Sequence, residues 1–102
     1  MSEDAVKRLT NLVVVGVKPT MNYVVACLTL FNAGAPEILV RARGRNISKA
    51  VDAVEMLKRV FLKNVVVEDV TLGTEVLTDR SGRESSVSTL EIKLAKPQPS
   101  PV

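Results

Sequence analysis

Arg41-Ala42-Arg43-Gly44-Arg45-Asn46-Ile47-Ser48-Lys49 holds the change of period on which the fold turns. Before it, Glu37 to Arg43 alternates as a strand does: Ile38, Val40 and Ala42 share one face, and Leu39, Arg41 and Arg43 share the other. After it, Ile47, Ala50, Val51, Val54, Leu57 and Phe61 recur at helical spacing, with Lys49, Asp52, Glu55, Lys58 and Arg59 on a mixed polar side. Gly44 is the bend between the two, and Asn46 is the expected N-cap of the helix. The same nine residues include three arginines and a lysine. Guanidinium forks match phosphate oxygens and stay charged. A helix start adds unpaired N–H donors and a partial positive charge. Arg43, Arg45, Asn46 and Lys49 therefore read as an anion-binding corner, with a nucleic-acid phosphate as the expected anion.

Working outward, Asn11 to Gly16 is a β-branched run that reads as a short strand covered on both faces. Val17-Lys18-Pro19-Thr20 leads into a helix over about 20–33, with an apolar stripe of Met21, Val24, Val25, Leu28 and Phe31. Gly34 and Pro36 end it. Asn64 stops the second helix. Val65 to Leu77 reads as a long strand whose alternation breaks at Glu68-Asp69, the mark of a bulge. Residues 78–85 carry no apolar side chain and a Ser-Gly turn signal, and Val87 to Ala95 is a fourth strand. The order β-α-β-α-β-β predicts an α+β two-layer sandwich: a four-stranded mixed sheet, two helices on one face and a long hairpin arm. One domain over 11–95 is expected, with flexible tails at 1–10 and 96–102.

Composition excludes several classes. Among 102 residues, 46% are hydrophobic and 25% charged, which suits a globular domain with an aliphatic core. A single cysteine and no histidine rule out an internal disulfide and Cys/His metal sites, so no cofactor is expected. There is no signal-like segment and no apolar run of membrane length, and the expected setting is cytoplasmic. The net charge is only +3, so its placement in the 41–49 cluster matters more than its size.

Each candidate has a plain alternative. Arginines at a strand end can simply be solvated surface. Lys18 follows the first strand, and in this topology its loop opens at the same sheet edge as Arg43 and Arg45; on its own it is one exposed lysine. Tyr23 can stack on a base or pack at a helix flank. Arg80 and Arg83 lie beside Asp79 and Glu84 in a locally neutral hairpin tip, yet an arm of that kind can bring arginine to a minor groove. Phe61 fits core packing or an exposed protein–protein contact. Cys27 reads as an inert core residue. No phosphate-cradling glycine loop, nucleophile elbow or zinc spacing occurs, so an enzyme is disfavoured.

Three blocks together, Gly16-Val17-Lys18-Pro19-Thr20-Met21-Asn22-Tyr23-Val24, Arg41 through Asp52, and Val87-Ser88-Thr89-Leu90-Glu91-Ile92, resemble the archaeal chromatin protein family Alba. The resemblance runs over residues 11 to 95 in the family's order. It implies a homodimer that binds double-stranded DNA without sequence specificity, compacts the chromosome and also binds RNA; the rival is a module directed mainly at RNA. It places body contacts at Lys18, Asn22, Tyr23, Arg43, Arg45 and Asn46, arm contacts at Arg80 and Arg83, and dimer–dimer packing at Phe61. Two departures stand out. Val17-Lys18 replaces a lysine pair whose first member the resemblance associates with acetylation control; valine cannot be acetylated, which leaves Lys18 as the alternative position for such a switch. Ser86 stands where an arginine is common. These departures resemble a second paralogue, with a heterodimer as the alternative assembly.

Overall fold

Alternation and helical spacing place the elements much as expected. A computed structural model describes residues 11–96. The tails expected at 1–10 and 96–102 lie outside the described residues, apart from Lys96, whose amide donates to the Pro36 carbonyl at 3.2 Å. The order is β1 (Leu12–Val14), α1 (Thr20–Asn32), β2 (Glu37–Arg43), a 3-10 turn (Gly44–Asn46), α2 (Ile47–Met56), a π-helical turn (Leu57–Phe61), β3 (Val66–Thr78) and β4 (Glu84–Ala95). The four-stranded sheet has the order β1-β2-β4-β3. β1 runs parallel to β2, and the other pairs are antiparallel. This is the expected two-layer α+β sandwich.

The inner layer is aliphatic. Ile38, Val40 and Ala42 of β2 and Leu90, Ile92 and Leu94 of β4 are buried beneath Val24, Cys27 and Phe31 of α1 and Ala50, Ala53, Val54 and Leu57 of the second helix. Each large side chain removed from water contributes about 1.5–3 kcal/mol.

Four local expectations need correction. β1 is covered on one face only: Val13 and Val15 are buried, while Val14 is exposed. In α1 the buried line is Val24, Cys27 and Phe31, and Met21 and Val25 face outward. That helix is apolar almost all round, so spacing alone does not fix its inner face. Phe61 leaves the apolar stripe because Leu62 N–H donates to the Leu57 carbonyl at 2.7 Å, a five-residue π step. The wider turn sets Leu62 against the core below Leu57 and turns Phe61 out. Finally, Asn46 makes no side-chain capping bond; it is already helical at φ −82° and ψ −6°. The chain enters the helix earlier, through Gly44 at φ +58°, and Gly44 carbonyl accepts from Ile47 N–H.

The bulge appears as a register shift between Val67 and Asp69 on β3. It keeps Val67 and Val70 on one side of the sheet: Val67 pairs with Leu94 and Val70 with Ile92, both buried residues of β4. Among the described residues no helix overlies β3, and this apolar row is left uncovered.

Candidate nucleic-acid interface

The corner is built by parallel pairing. Val14 registers with Arg41, and Val15 N–H donates to the Arg41 carbonyl at 2.8 Å. β1 and β2 therefore leave the sheet at the same end, and the loops that follow them are neighbours. Lys49, in the first turn of α2, closes the gap. Its Nζ donates to the carbonyls of Gly16 and Lys18, both at 2.8 Å. From the other side, Tyr23 Oη accepts from the backbone N–H of Gly16 at 2.9 Å and of Lys18 at 3.1 Å. The loop is thus clamped between an ammonium and a phenol, with the Lys18 side chain exposed.

Two candidates change role. The Tyr23 ring packs against the core and its hydroxyl is committed to the loop, so the base-stacking alternative gives way to a structural clamp. Lys49 is part-buried with its ammonium between carbonyls, so it fixes the loop and is not a free surface charge. Asn22 is exposed at the start of α1, next to this loop. Asn46 is half-buried, and its side chain is not spent on capping.

The three arginines differ in how they are held. Arg41 gives Nε and a terminal nitrogen to one oxygen of Glu91, at 3.1 and 2.9 Å. Arg43 gives a single terminal nitrogen to Glu75 at 3.1 Å, with about half of both side chains exposed, 55% and 48%. Lys93 continues the row, at 3.2 Å from Glu37 and 3.8 Å from Glu68. All of these lie on the open face of the sheet, opposite the helices. Exposed pairs of this kind contribute about 0–1 kcal/mol each. Among the described residues, Lys18, Arg45, Arg80 and Arg83 have no carboxylate at salt-bridge distance. The sequence reading missed Glu75 and Glu91 as partners of this cluster. Acid at 91 opposite Arg41 becomes visible only once β4 is known to lie between β2 and β3.

The arm ends in a turn ordered by one carboxylate. Asp79 Oδ1 accepts from Ser81 Oγ at 2.6 Å and from the N–H groups of Ser81 and Arg83, both at 2.9 Å. Those bonds, the Ser81 hydroxyl first, hold its carboxyl below the ordinary 3.8. Gly82, at φ +82°, closes the turn, and Arg80 and Arg83 project into solvent on either side of Ser81-Gly82. The remaining reactive group is Cys27, buried in the core with its thiol pushed up to about 11 by burial, so it stays protonated.

Residues 11–74 match the Alba family. The DNA/RNA-binding protein Alba of Methanocella arvoryzae is 44% identical over 88 residues, covering 86% of this chain and 92% of its own length. DNA/RNA-binding protein Alba 1 of Archaeoglobus fulgidus is 50% identical over 86 residues, covering 84% and 96%. Among solved structures, Alba from Thermoplasma volcanium superposes with a TM-score of 0.79 at 46% identity, over 83% of this chain and 99% of that one. ALBA1 from Trypanosoma brucei does so at 0.69 and 33%, over 84% and 68%. With the fold, the three sequence blocks and these relatives in agreement, the chain belongs to the Alba family.

Proposed function

We propose that this protein binds double-stranded DNA without sequence preference, and RNA, as an architectural protein that compacts the chromosome. Relatives at 44% and 50% identity are named as DNA/RNA-binding proteins. The observation that carries the reading is the Lys49 bridge. By tying Gly16 and Lys18 carbonyls to the start of α2, it gathers Lys18, Arg45 and Arg43 at one sheet edge. Tyr23 contributes through its hydroxyl: both lone pairs are taken by backbone N–H groups, which leaves the O–H as a donor to phosphate. Asn22 and Asn46 add neutral donors beside it, and Arg80 and Arg83 reach toward a groove from the arm. This is phosphate gripping; no feature of it reads base edges.

The working unit is a homodimer. Val51, Val54, Val67, Val70, Leu90 and Ile92, with Glu55 among them, line a mainly apolar groove between α2 and the uncovered β3. A second copy covering that groove doubles the cationic edge, which answers the weakness of +3 per chain. Phe61, 42% exposed on the π-helical turn, is available for contact between dimers. The role is binding and not catalysis, in a cytoplasmic, chromosome-associated setting. No helix among the described residues is long and apolar enough to cross a membrane.

Titration with matched DNA and RNA duplexes over a range of salt tests this. Three phosphate contacts per protomer, Lys18, Arg43 and Arg45, imply a fall in affinity of about 10³-fold between ~50 and ~200 mM salt. Little difference between duplex sequences is expected. Affinity indifferent to salt would refute the electrostatic grip. Much tighter binding to the RNA duplex would favour an RNA-directed module.

A further inference from the structure

We infer that Glu75 is a built-in competitor for the phosphate at Arg43, setting how tightly the protein grips a polyanion. The inference rests on the nucleic-acid reading above and deepens it. Arg43 registers with Thr89 on β4, and Thr89 registers with Gly73 on β3. Glu75 stands two residues beyond Gly73 on the same open face. Thr89 lies between them, and Gly73 makes room for it: a Cβ at Gly73 would lie 2.9 Å from Thr89 Oγ1. The Arg43 guanidinium leans across the one intervening strand, β4, to meet Glu75 at 3.1 Å.

The pair is a latch and not a lock. Arg43 commits one nitrogen to the carboxylate, leaving its other N–H donors for an incoming oxygen. Both partners are about half exposed, 55% and 48%, so a phosphate can approach. Arg41 contrasts with it: two nitrogens hold one Glu91 oxygen, and Glu91 is the better covered. Arg45 has no carboxylate partner among the described residues. The cluster is therefore graded, with Arg45 open, Arg43 latched and Arg41 held. Binding exchanges one anion for another at Arg43, and Glu75 is left beside the polyanion with its charge uncompensated.

The test compares wild type, Glu75→Gln, Arg43→Ala, the double variant and Glu37→Gln by fluorescence anisotropy on one duplex at low salt. Glu37→Gln removes the same single charge at the far end of β2, where Lys93 keeps Glu68 as a second partner. Glu75 is exposed on its strand, and glutamine preserves its shape. Glu75→Gln is expected to tighten binding by about two- to fivefold per protomer, beyond any gain from Glu37→Gln. The slope of log affinity against log salt should steepen by up to about 1 per protomer. In the Arg43→Ala background the extra gain should vanish. Equal gains from Glu75→Gln and Glu37→Gln would overturn the inference while leaving nucleic-acid binding intact. So would a gain that survives Arg43→Ala, because it would come from the general field. A wild-type protein that binds no duplex would instead bring down the functional reading itself.

Discussion

Tyr23 and Lys49 act as a pair on one short loop. A charge-assisted bond to a backbone carbonyl contributes about 1.5–3 kcal/mol where it is shielded and less where water competes. Lys49 makes two, and Tyr23 returns two from the opposite side. Tyr23→Phe separates this clamp from base stacking, since phenylalanine stacks as well as tyrosine but cannot accept an N–H. The variant is expected to lose about 1 kcal/mol of stability, to speed hydrogen exchange at the Gly16 and Lys18 amides, and to bind duplex several-fold more weakly. Unchanged exchange and affinity would remove the clamp from the mechanism. The sequence marked both residues as candidates for contact, but the structure shows them bonded to the loop. Charge and aromaticity mark a candidate, whereas its role depends on which carbonyls and amides the turn brings within reach. That geometry comes from parallel β1–β2 pairing, which no local pattern encodes. The same reason hid Glu75: Arg43 and Glu75 are 32 residues apart and meet only because β4 is interposed.

The elements that present arginine are the hairpin arm and the strand-to-helix bend, and both depend on short polar turns. In the arm, three donors converge on Asp79 Oδ1 and lower its carboxyl below 3.8. A carboxyl depressed in the folded state lends order above its unfolded value and loses it as pH falls through the folded one. The turn should therefore keep its geometry across the neutral and mildly acid range and loosen only below 3.8. Amide resonances of Ser81 and Arg83, followed by NMR, should titrate with a midpoint under that value and lose their dispersion in Asp79→Ala at every pH. A midpoint at or above 3.8 would mean that the hydrogen bonds do not persist in solution. The turn was readable from composition, and the bulge from broken alternation at Glu68-Asp69. The π-helical turn was not, because Leu57 and Phe61 sit at a spacing that suits an ordinary helix. Only the Leu62-to-Leu57 bond reveals that the next residue took the inner position.

Among the described residues nothing covers the apolar row of β3. Leu72 is 76% exposed, and it shares a side of the sheet with Val70 and Val67, in register with buried Leu90. If the chain worked alone, Leu72→Glu would be a surface change of within about 0.5 kcal/mol. If a second copy lies on the groove, the same change places an unpaired carboxylate in an apolar contact, which costs several kcal/mol at least. Sedimentation velocity on both proteins distinguishes the cases. Wild type is expected to run as a dimer and Leu72→Glu as a folded monomer with unchanged secondary structure by circular dichroism. Because the cationic edge is then halved, its salt slope on duplex DNA should fall to about half that of wild type. A wild-type chain that runs as a monomer by itself and dimerises with a related chain would assign the groove to a heterodimer. If Leu72→Glu runs and binds as wild type does, association uses another surface, and the apolar row on β3 has no part in gripping nucleic acid.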